Sequence, residues 1–335
     1  GRRTVSEFFL SICILTHNRA ALLAQCLESV RPQVLPSTEV VVSDNASTDN
    51  TSAVVQGFQG KIPNLCYYRN RTDLGGEENV FKVISRARGT YVVLLGDDDL
   101  LTGNALQLVR RALSGRSPDR IGVVLSSRRV SDSKSGRSLP SLEYYKTDRR
   151  FSPGGEALLG LFLYAHGLSG IVIRRDLIDL SGARRYLGSF YPQMYLVGRA
   201  LKTSWGIYIA RPLVTVRINA GNYWEYSSDF MAGHIIRMIH ELSQGEPPAV
   251  DKALTAKRIR YSIFSLEKAK QSSAAGFLLL LYHYFKIREY RHSFVFWLYA
   301  VSMLVLGSRV LRGMKKALYF FCGNRKILVN YLYGE

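Results

Sequence analysis

Short apolar runs alternate with amphipathic stretches through the first hundred residues. Leu10–Leu15 is almost wholly apolar, Thr38–Ser43 (TEVVVS) is rich in β-branched residues, and Leu65–Arg69 and Thr90–Leu95 (TYVVLL) repeat the pattern. Runs of this length, bounded by polar clusters, read as strands. Between them Ala20–Val30, Asn50–Phe58 and Glu77–Ala87 place apolar residues at helical spacing. Strands that are apolar on both faces belong to a parallel sheet covered by helices. The βαβαβαβ order therefore predicts a doubly wound α/β architecture. From residue 251 onward the pattern is helical without strand signals, with apolar runs at Gly276–Phe285 (GFLLLLYHYF) and Phe294–Gly307. The longer run has 14 residues, short of the ~20 that a bilayer-crossing helix needs.

Chemistry in open α/β sheets lies at the carboxyl ends of the strands. Three of the four strand ends carry reactive or ligating groups: Thr16-His17-Asn18-Arg19, Asp44-Asn45 and Asp97-Asp98-Asp99. No G-x-G-x-x-G follows the first strand and no G-x-x-x-x-G-K-[ST] occurs, so the usual phosphate-cradling glycines are missing. Three consecutive carboxylates raise one another's pKa unless a cation neutralises them. Mg²⁺ or Mn²⁺, which takes carboxylate and phosphate oxygens, is one remedy; a solvated acidic turn before the helix starting near Gly103 is the other.

The chain has 335 residues, 47% hydrophobic and 21% charged, which excludes a largely disordered or low-complexity protein. That length accommodates a catalytic unit of ~200–250 residues with an accessory region. Charge is the departure from average. The net value is +19, and residues 256–335 alone hold 14 basic and 3 acidic residues, so the C-terminal region should face something anionic. A pI near 9.9 also suits nucleic acid, but no nucleic-acid motif accompanies it and none is expected as a partner. Cys13, Cys26, Cys66 and Cys322 form no C-x-x-C pair and no metal-spaced cluster, which points to a reducing, cytoplasmic compartment rather than a disulfide or zinc scaffold. Arg2-Arg3 and the apolar run after them could imitate a secretory leader, but the run ends in Thr16-His17-Asn18-Arg19 without a cleavage site, so a buried first strand is expected.

Four stretches, SICILTHNR (11–19), VVVSDNASTDNT (40–51), RNRTDLGGEENV (69–80) and ARGTYVVLLGDDDLL (87–101), resemble in order and spacing the family 2 glycosyltransferases of GT-A fold. The resemblance implies a mixed, Rossmann-like sheet flanked by helices over residues 8–240, with a nucleotide-binding half (8–115) and an acceptor-binding half (116–240). A helical, basic and amphipathic region would follow at 251–335. It places Thr16, Asn18 and Arg19 near the nucleoside of a nucleoside diphosphate sugar, and Asp44 with Asn45 at the base. Gly75 and Gly76 would let the backbone approach the nucleotide, or would simply make the turn before a helix. Asp97 and Asp98 would face ribose and pyrophosphate, and Asp99 with Asp97 would ligate Mg²⁺ or Mn²⁺. Arg69, Arg71, Arg86 and Arg88 are further cations that could share the pyrophosphate charge.

The family often carries a catalytic Glu-Asp pair at the start of a later helix, where this chain has Pro192-Gln193. A neutral amide cannot accept a proton from the acceptor hydroxyl. Either His166, Glu225 or Asp229 serves as base, or the enzyme retains configuration with help from the leaving phosphate. Gln193, Tyr223 and Trp224 are candidate acceptor contacts. LLGDDDLL together with HGLSGIVIRR (166–175) resembles the subgroup that includes abequosyltransferase, which adds a 3,6-dideoxyhexose to a bacterial O-antigen intermediate.

Arg288, Arg291, Arg309, Arg312, Lys315 and Lys316 flank the C-terminal apolar runs, as in helices lying in a membrane interface. This predicts peripheral attachment to the cytoplasmic face of the inner membrane and a lipid-linked glycan acceptor; helical packing or homo-oligomerisation is the competing expectation. Two rival functions remain at this level. A sugar-1-phosphate nucleotidyltransferase shares the sheet and metal but needs a Gly-rich, basic loop after the first strand, and a catalytically degenerate GT-A scaffold would explain the missing acid pair.

Overall fold

The computed structural model describes residues 8–114, 120–218, 232–272 and 274–305. They divide into two compact units, the first running to residue 221 and the second beginning at 222.

The first unit is built on one mixed sheet. β1 (Leu10–Thr16), α1 (Ala20–Val30), β2 (Thr38–Asp44), α2 (Thr51–Phe58), β3 (Leu65–Arg69), α3 (Gly76–Ser85) and β4 (Tyr91–Gly96) follow the expected alternation. These four strands are parallel, in the order β3-β2-β1-β4. Ile12, Ile14, Val40, Val42, Val93 and Leu95 are fully or almost fully buried, packed with Leu23, Leu27 and Val30 of α1. Burial of a side chain of this size contributes roughly 1.5–3 kcal/mol, which is why the apolar runs commit so firmly to strands.

Beyond β4 the directions change. β5 (Leu100–Leu101), α4 (Ala105–Leu113), β6 (Ile121–Asp132), β7 (Ser138–Leu142), β8 (Arg149–Phe151), α5 (Gly155–Leu161), β9 (Val172–Arg174), α6 (Leu180–Ala183), α7 (Pro192–Thr203) and β10 (Trp205–Ile218) complete the unit. β9 lies between β4 and β6, antiparallel to both. β10 runs parallel to β6 and antiparallel to β5, with Val214 opposite Leu101. The chain immediately after Asp97-Asp98-Asp99 is thereby tied to the far end of β10.

The second unit is helical among its described residues: α8 (Ala232–Leu242), α9 (Pro248–Ser272), α10 (Ala274–Phe285), α11 (Arg288–Arg291) and α12 (Phe294–Val305). Its core is aromatic. Tyr284 stacks on Tyr290 at 4.6 Å, and the Phe296 ring meets Tyr290 edge-on at 5.1 Å. Three helices are clamped by His240, whose Nδ1 lies 2.6 Å from Asp251 and whose Nε2 lies 3.1 Å from Glu289. Burial pulls the imidazole pKa down, but the two carboxylates outweigh it and the net shift is upward. A group raised on folding stabilises fully below its unfolded pKa of ~6.5, and that contribution is lost as pH rises through the folded value. NMR titration of His240 should therefore give a pKa above the ordinary histidine value, and Glu289→Gln should lower it; an unchanged value in the variant would dissolve the clamp. Among the described residues no helix is long and apolar enough to cross a membrane.

Candidate active site

Strand register assembles the site. Thr16 is opposite Asp44, Leu15 is opposite Gly96, and Asp44 is opposite Arg69, so the ends of β1 to β4 share one edge of the sheet. The polar clusters singled out from the sequence meet there.

Arg19 closes the first contact. Its Nη1 donates to Asp97 Oδ1 at 3.3 Å and Asp98 Oδ2 at 3.0 Å, joining the segment after β1 to that after β4. Burial pushes the Asp97 carboxyl up to about 6; Thr16 and Arg19 oppose that rise and Asp98 adds to it. Asp97 Oδ2 and Thr16 Oγ1 are both buried, with no hydrogen-bond partner beyond each other. Burial likewise raises Asp99 to about 7, reinforced by Asp98 and opposed by Ser169 and the Arg217 backbone. Asp99 Oδ1 accepts the Arg217 N–H at 2.9 Å. Ser169, just before β9, accepts the Gly96 N–H at 2.9 Å.

The second cluster is at the end of β2. Asp44 is buried and accepts the Ser47 N–H at 2.8 Å and the Tyr67 hydroxyl at 2.5 Å. Burial and this carboxylate hold the Tyr67 phenol up at about 12. Asn45 accepts from Asn70 Nδ2 and the Leu74 N–H, both at 3.0 Å, and donates to Asp73. Asn70 continues to Asn79 at 3.1 Å, and Asn79 donates to the Ser43 carbonyl at 3.0 Å. This amide network fixes the 70–76 loop against the end of β2. Asn18 has φ +53°, and its side-chain oxygen accepts the Thr48 N–H at 2.7 Å, bracing the loops after β1 and β2 against each other. Gly75 has φ +78°, a conformation that disfavours a side chain just before α3, whereas a Cβ on Gly76 would meet nothing within 4 Å.

The acceptor-side candidates are partly in view. Gln193, at the start of α7, donates to the His166 carbonyl at 2.9 Å. The His166 ring has its Nδ1 3.1 Å from the Leu163 carbonyl; a carbonyl only accepts, so Nδ1 carries the proton and Nε2 is the basic nitrogen of the neutral ring. Tyr223, Trp224, Glu225 and Asp229 lie outside the described residues.

Sequence reasoning missed Arg217. It is buried, its Nε donates to the Asp98 carbonyl, and its Nη1 donates to Gln25. Its only sequence signal is a lone cation late in a strand. Of the arginines considered at the outset, Arg69 donates to the Ser47 carbonyl at 2.8 Å, and Arg86 lies over the Tyr68 ring and donates to Ser43 Oγ at 3.0 Å. Arg88 lies elsewhere, bound to Glu39 near the opposite ends of the strands.

The carboxylates suit a hard divalent cation. Asp97 offers a buried oxygen, and Asp97 and Asp99 stay raised toward neutrality even with Arg19 beside Asp97, so the cluster favours further positive charge. No group of three or more His, Cys, Asp or Glu among the described residues forms a closed metal cage. Two carboxylates with the remaining positions left to phosphate and water is the ordinary arrangement for Mg²⁺ at nucleotides.

Comparison with known proteins follows the same lines. Abequosyltransferase RfbV of Salmonella typhimurium is 27% identical over 231 residues, which is 62% of this chain and 66% of that protein. The GalNAc(5)-diNAcBac-PP-undecaprenol beta-1,3-glucosyltransferase of Campylobacter jejuni is 34% identical over 108 residues, 32% of this chain and 35% of that one. The chain thus spans just under two thirds of the first relative and about a third of the second. Among solved structures, S. aureus TarS 1-349 in complex with UDP-GlcNAc superposes with a TM-score of 0.65 at 17% identity, covering 85% of this chain and 83% of that one, so the fold is shared. The family model for glycosyl transferase family 2 matches residues 11–177, from β1 through β9, and through this segment the chain belongs to that family.

Proposed function

We propose that the protein transfers a hexosyl or deoxyhexosyl group from a nucleoside diphosphate sugar to a hydroxyl of a lipid-linked glycan in bacterial surface polysaccharide synthesis, with Mg²⁺ or Mn²⁺ as cofactor. The observation that carries this reading is the convergence of Arg19, Asp97, Asp98, Asp99 and Arg217 at the edge where β1, β2 and β4 end. The lipid-diphosphate acceptor comes from the name of the Campylobacter relative, and the surface-polysaccharide setting from the resemblance of LLGDDDLL and HGLSGIVIRR to the abequosyltransferase subgroup.

Asp44 and Asn45 shape the base end, with Thr16 and Asn18 beside them. Gly75 and Gly76 pass close to the nucleotide, Asp98 meets the ribose side, and Asp97 with Asp99 hold the metal. The bound cation supplies Lewis-acid stabilisation of charge on the departing diphosphate. Arg19 and Arg217 add fixed positive charge beside the same carboxylates, in a water-poor setting where such charge is most effective. Of the candidate bases His166 is the one among the described residues, and Gln193 donates to its carbonyl.

Thermal unfolding with UDP, GDP, CDP or TDP, each with and without Mn²⁺, tests the donor half. A ligand at 100 times its dissociation constant adds about 2.7 kcal/mol, so one nucleotide should raise the melting temperature by several degrees only with metal. No shift with any of them would return the chain to the scaffold alternative. Pyrophosphate release from a nucleoside triphosphate would instead favour the nucleotidyltransferase.

A further inference from the structure

The second unit has an apolar surface that its own packing does not use. α10 and α12 both contact α9, and Tyr284 and Phe296 on their inner sides are fully buried. Their outer sides are apolar as well. Leu279, Tyr282 and Phe285 on α10, and Phe294, Leu298 and Val301 on α12, are exposed, Phe294 to 78%. On each helix the exposed residues recur within one face, at the spacing of successive turns. A helix apolar all round meets either protein or a non-aqueous phase.

The two faces meet at the turn around α11, where the Phe285 and Trp297 rings pack edge-on at 5.9 Å. The cations are at this junction. Lys286, Arg288 and Arg291 are exposed, and Lys286 Nζ lies 4.3 Å from the centre of the Tyr282 ring. Glu289 is the one acid between residues 274 and 305, and His240 engages it. Next to it a cleft of about 370 Å³ is lined by Arg237, Lys286, His234, His240 and His283, with Glu289 on its wall.

We propose that α10 and α12 lie on an anionic lipid bilayer, their outer faces in the acyl boundary and Lys286, Arg288 and Arg291 among the headgroup phosphates, one of which enters the cleft beside Arg237. Charge selects this occupant. A second copy docked on the same face would bring its own Lys286, Arg288 and Arg291 against these cations, with one already-paired acid to offset them. Length selects the pose, because the longer apolar run, Phe294–Gly307, has 14 residues, which as a helix reaches only ~21 Å against a hydrocarbon core of ~30 Å. The bilayer assignment deepens the proposed use of a lipid-linked acceptor and rests on that reading for its purpose, though not for its physics.

The test is flotation of the full chain with phosphatidylcholine vesicles, alone or with about one third phosphatidylglycerol. The chain should float with the anionic vesicles only, and raised salt should weaken the association. Phe294→Ser with Leu298→Ser, and separately Lys286→Glu with Arg291→Glu, should each cut the bound fraction at least ~10-fold. Because these positions are exposed, the metal-dependent nucleotide shift should persist in both variants and report an intact fold. Wild-type protein that ignores anionic vesicles, or an apolar variant that floats as well as wild type, overturns the proposal. A dimer in sedimentation equilibrium that Leu298→Ser abolishes would assign the face to a second copy and overturn it too. Loss of nucleotide binding with flotation intact would count against the donor site and leave the membrane face standing.

Discussion

Asp99→Asn is expected to cut sugar transfer at least ~100-fold while making the folded chain more stable at neutral and alkaline pH. The amide oxygen can still accept the Arg217 N–H, and a neutral side chain no longer repels Asp98. What disappears is an ionised group in a buried place. Burial holds the folded Asp99 pKa at about 7, against an unfolded value near 3.8, so between those pH values the folded state binds the extra proton. Wild-type stability therefore falls as pH rises through that window and levels off above it. The variant has no such loss, so its advantage should be near zero at pH 4 and reach on the order of 1–3 kcal/mol by pH 8. Melting curves at several pH values with a parallel transfer assay check both halves. A variant that transfers sugar normally would remove Asp99 from the metal site. Asp97→Asn should behave similarly in transfer, since Arg19 keeps Asp98 as its partner.

The parts of this fold that are local in sequence were legible from it. Each apolar run of the first hundred residues became a strand, because β1, β2 and β4 are buried on both faces and no other element offers their side chains a dry environment. Parallel register then forces the three strand-end clusters together, so the meeting of Arg19 with Asp97 and Asp98 follows from topology. The later half resisted. β9 has three residues, too few to show a period, yet it lies between β4 and β6 and brings Ser169 to Gly96. Arg217 reaches Asp99 across 118 positions because β5 pairs with the far end of β10. The Asn45, Asn70 and Asn79 network was half visible, as Asn45 followed a strand, but amides inside a loop and a helix carry no periodic signal. Arg88 had the right charge and the wrong address: it follows α3 and precedes β4, so the chain turns it to the edge where the strands begin.

At that edge Arg88→Ala is expected to cost about 2–3 kcal/mol of stability and leave turnover unchanged. Glu39, at the start of β2, is fully buried. Its Oε2 pairs with Arg88 Nε at 3.0 Å, while Oε1 accepts the Arg88 N–H and the Ser11 hydroxyl, both at 2.6 Å. Ser11 in turn accepts the Gly89 N–H at 2.7 Å, and a Cβ on Gly89 would come within 2.7 Å of the Leu10 backbone. Removing the guanidinium leaves a buried carboxylate with neutral donors only, which breaks a pair without removing its desolvated member. Arg88 is itself half exposed, 48%, so water entering the gap keeps the loss below that of a fully buried pair. Glu39→Gln removes the charge instead and keeps an acceptor for Ser11, so its cost should be smaller, roughly 1 kcal/mol. Urea unfolding of both variants beside kcat for transfer separates the two edges of the sheet. Equal losses in the two would show that the ion pair is not what Arg88 contributes, and a fall in kcat without a fall in stability would place Arg88 with the diphosphate after all.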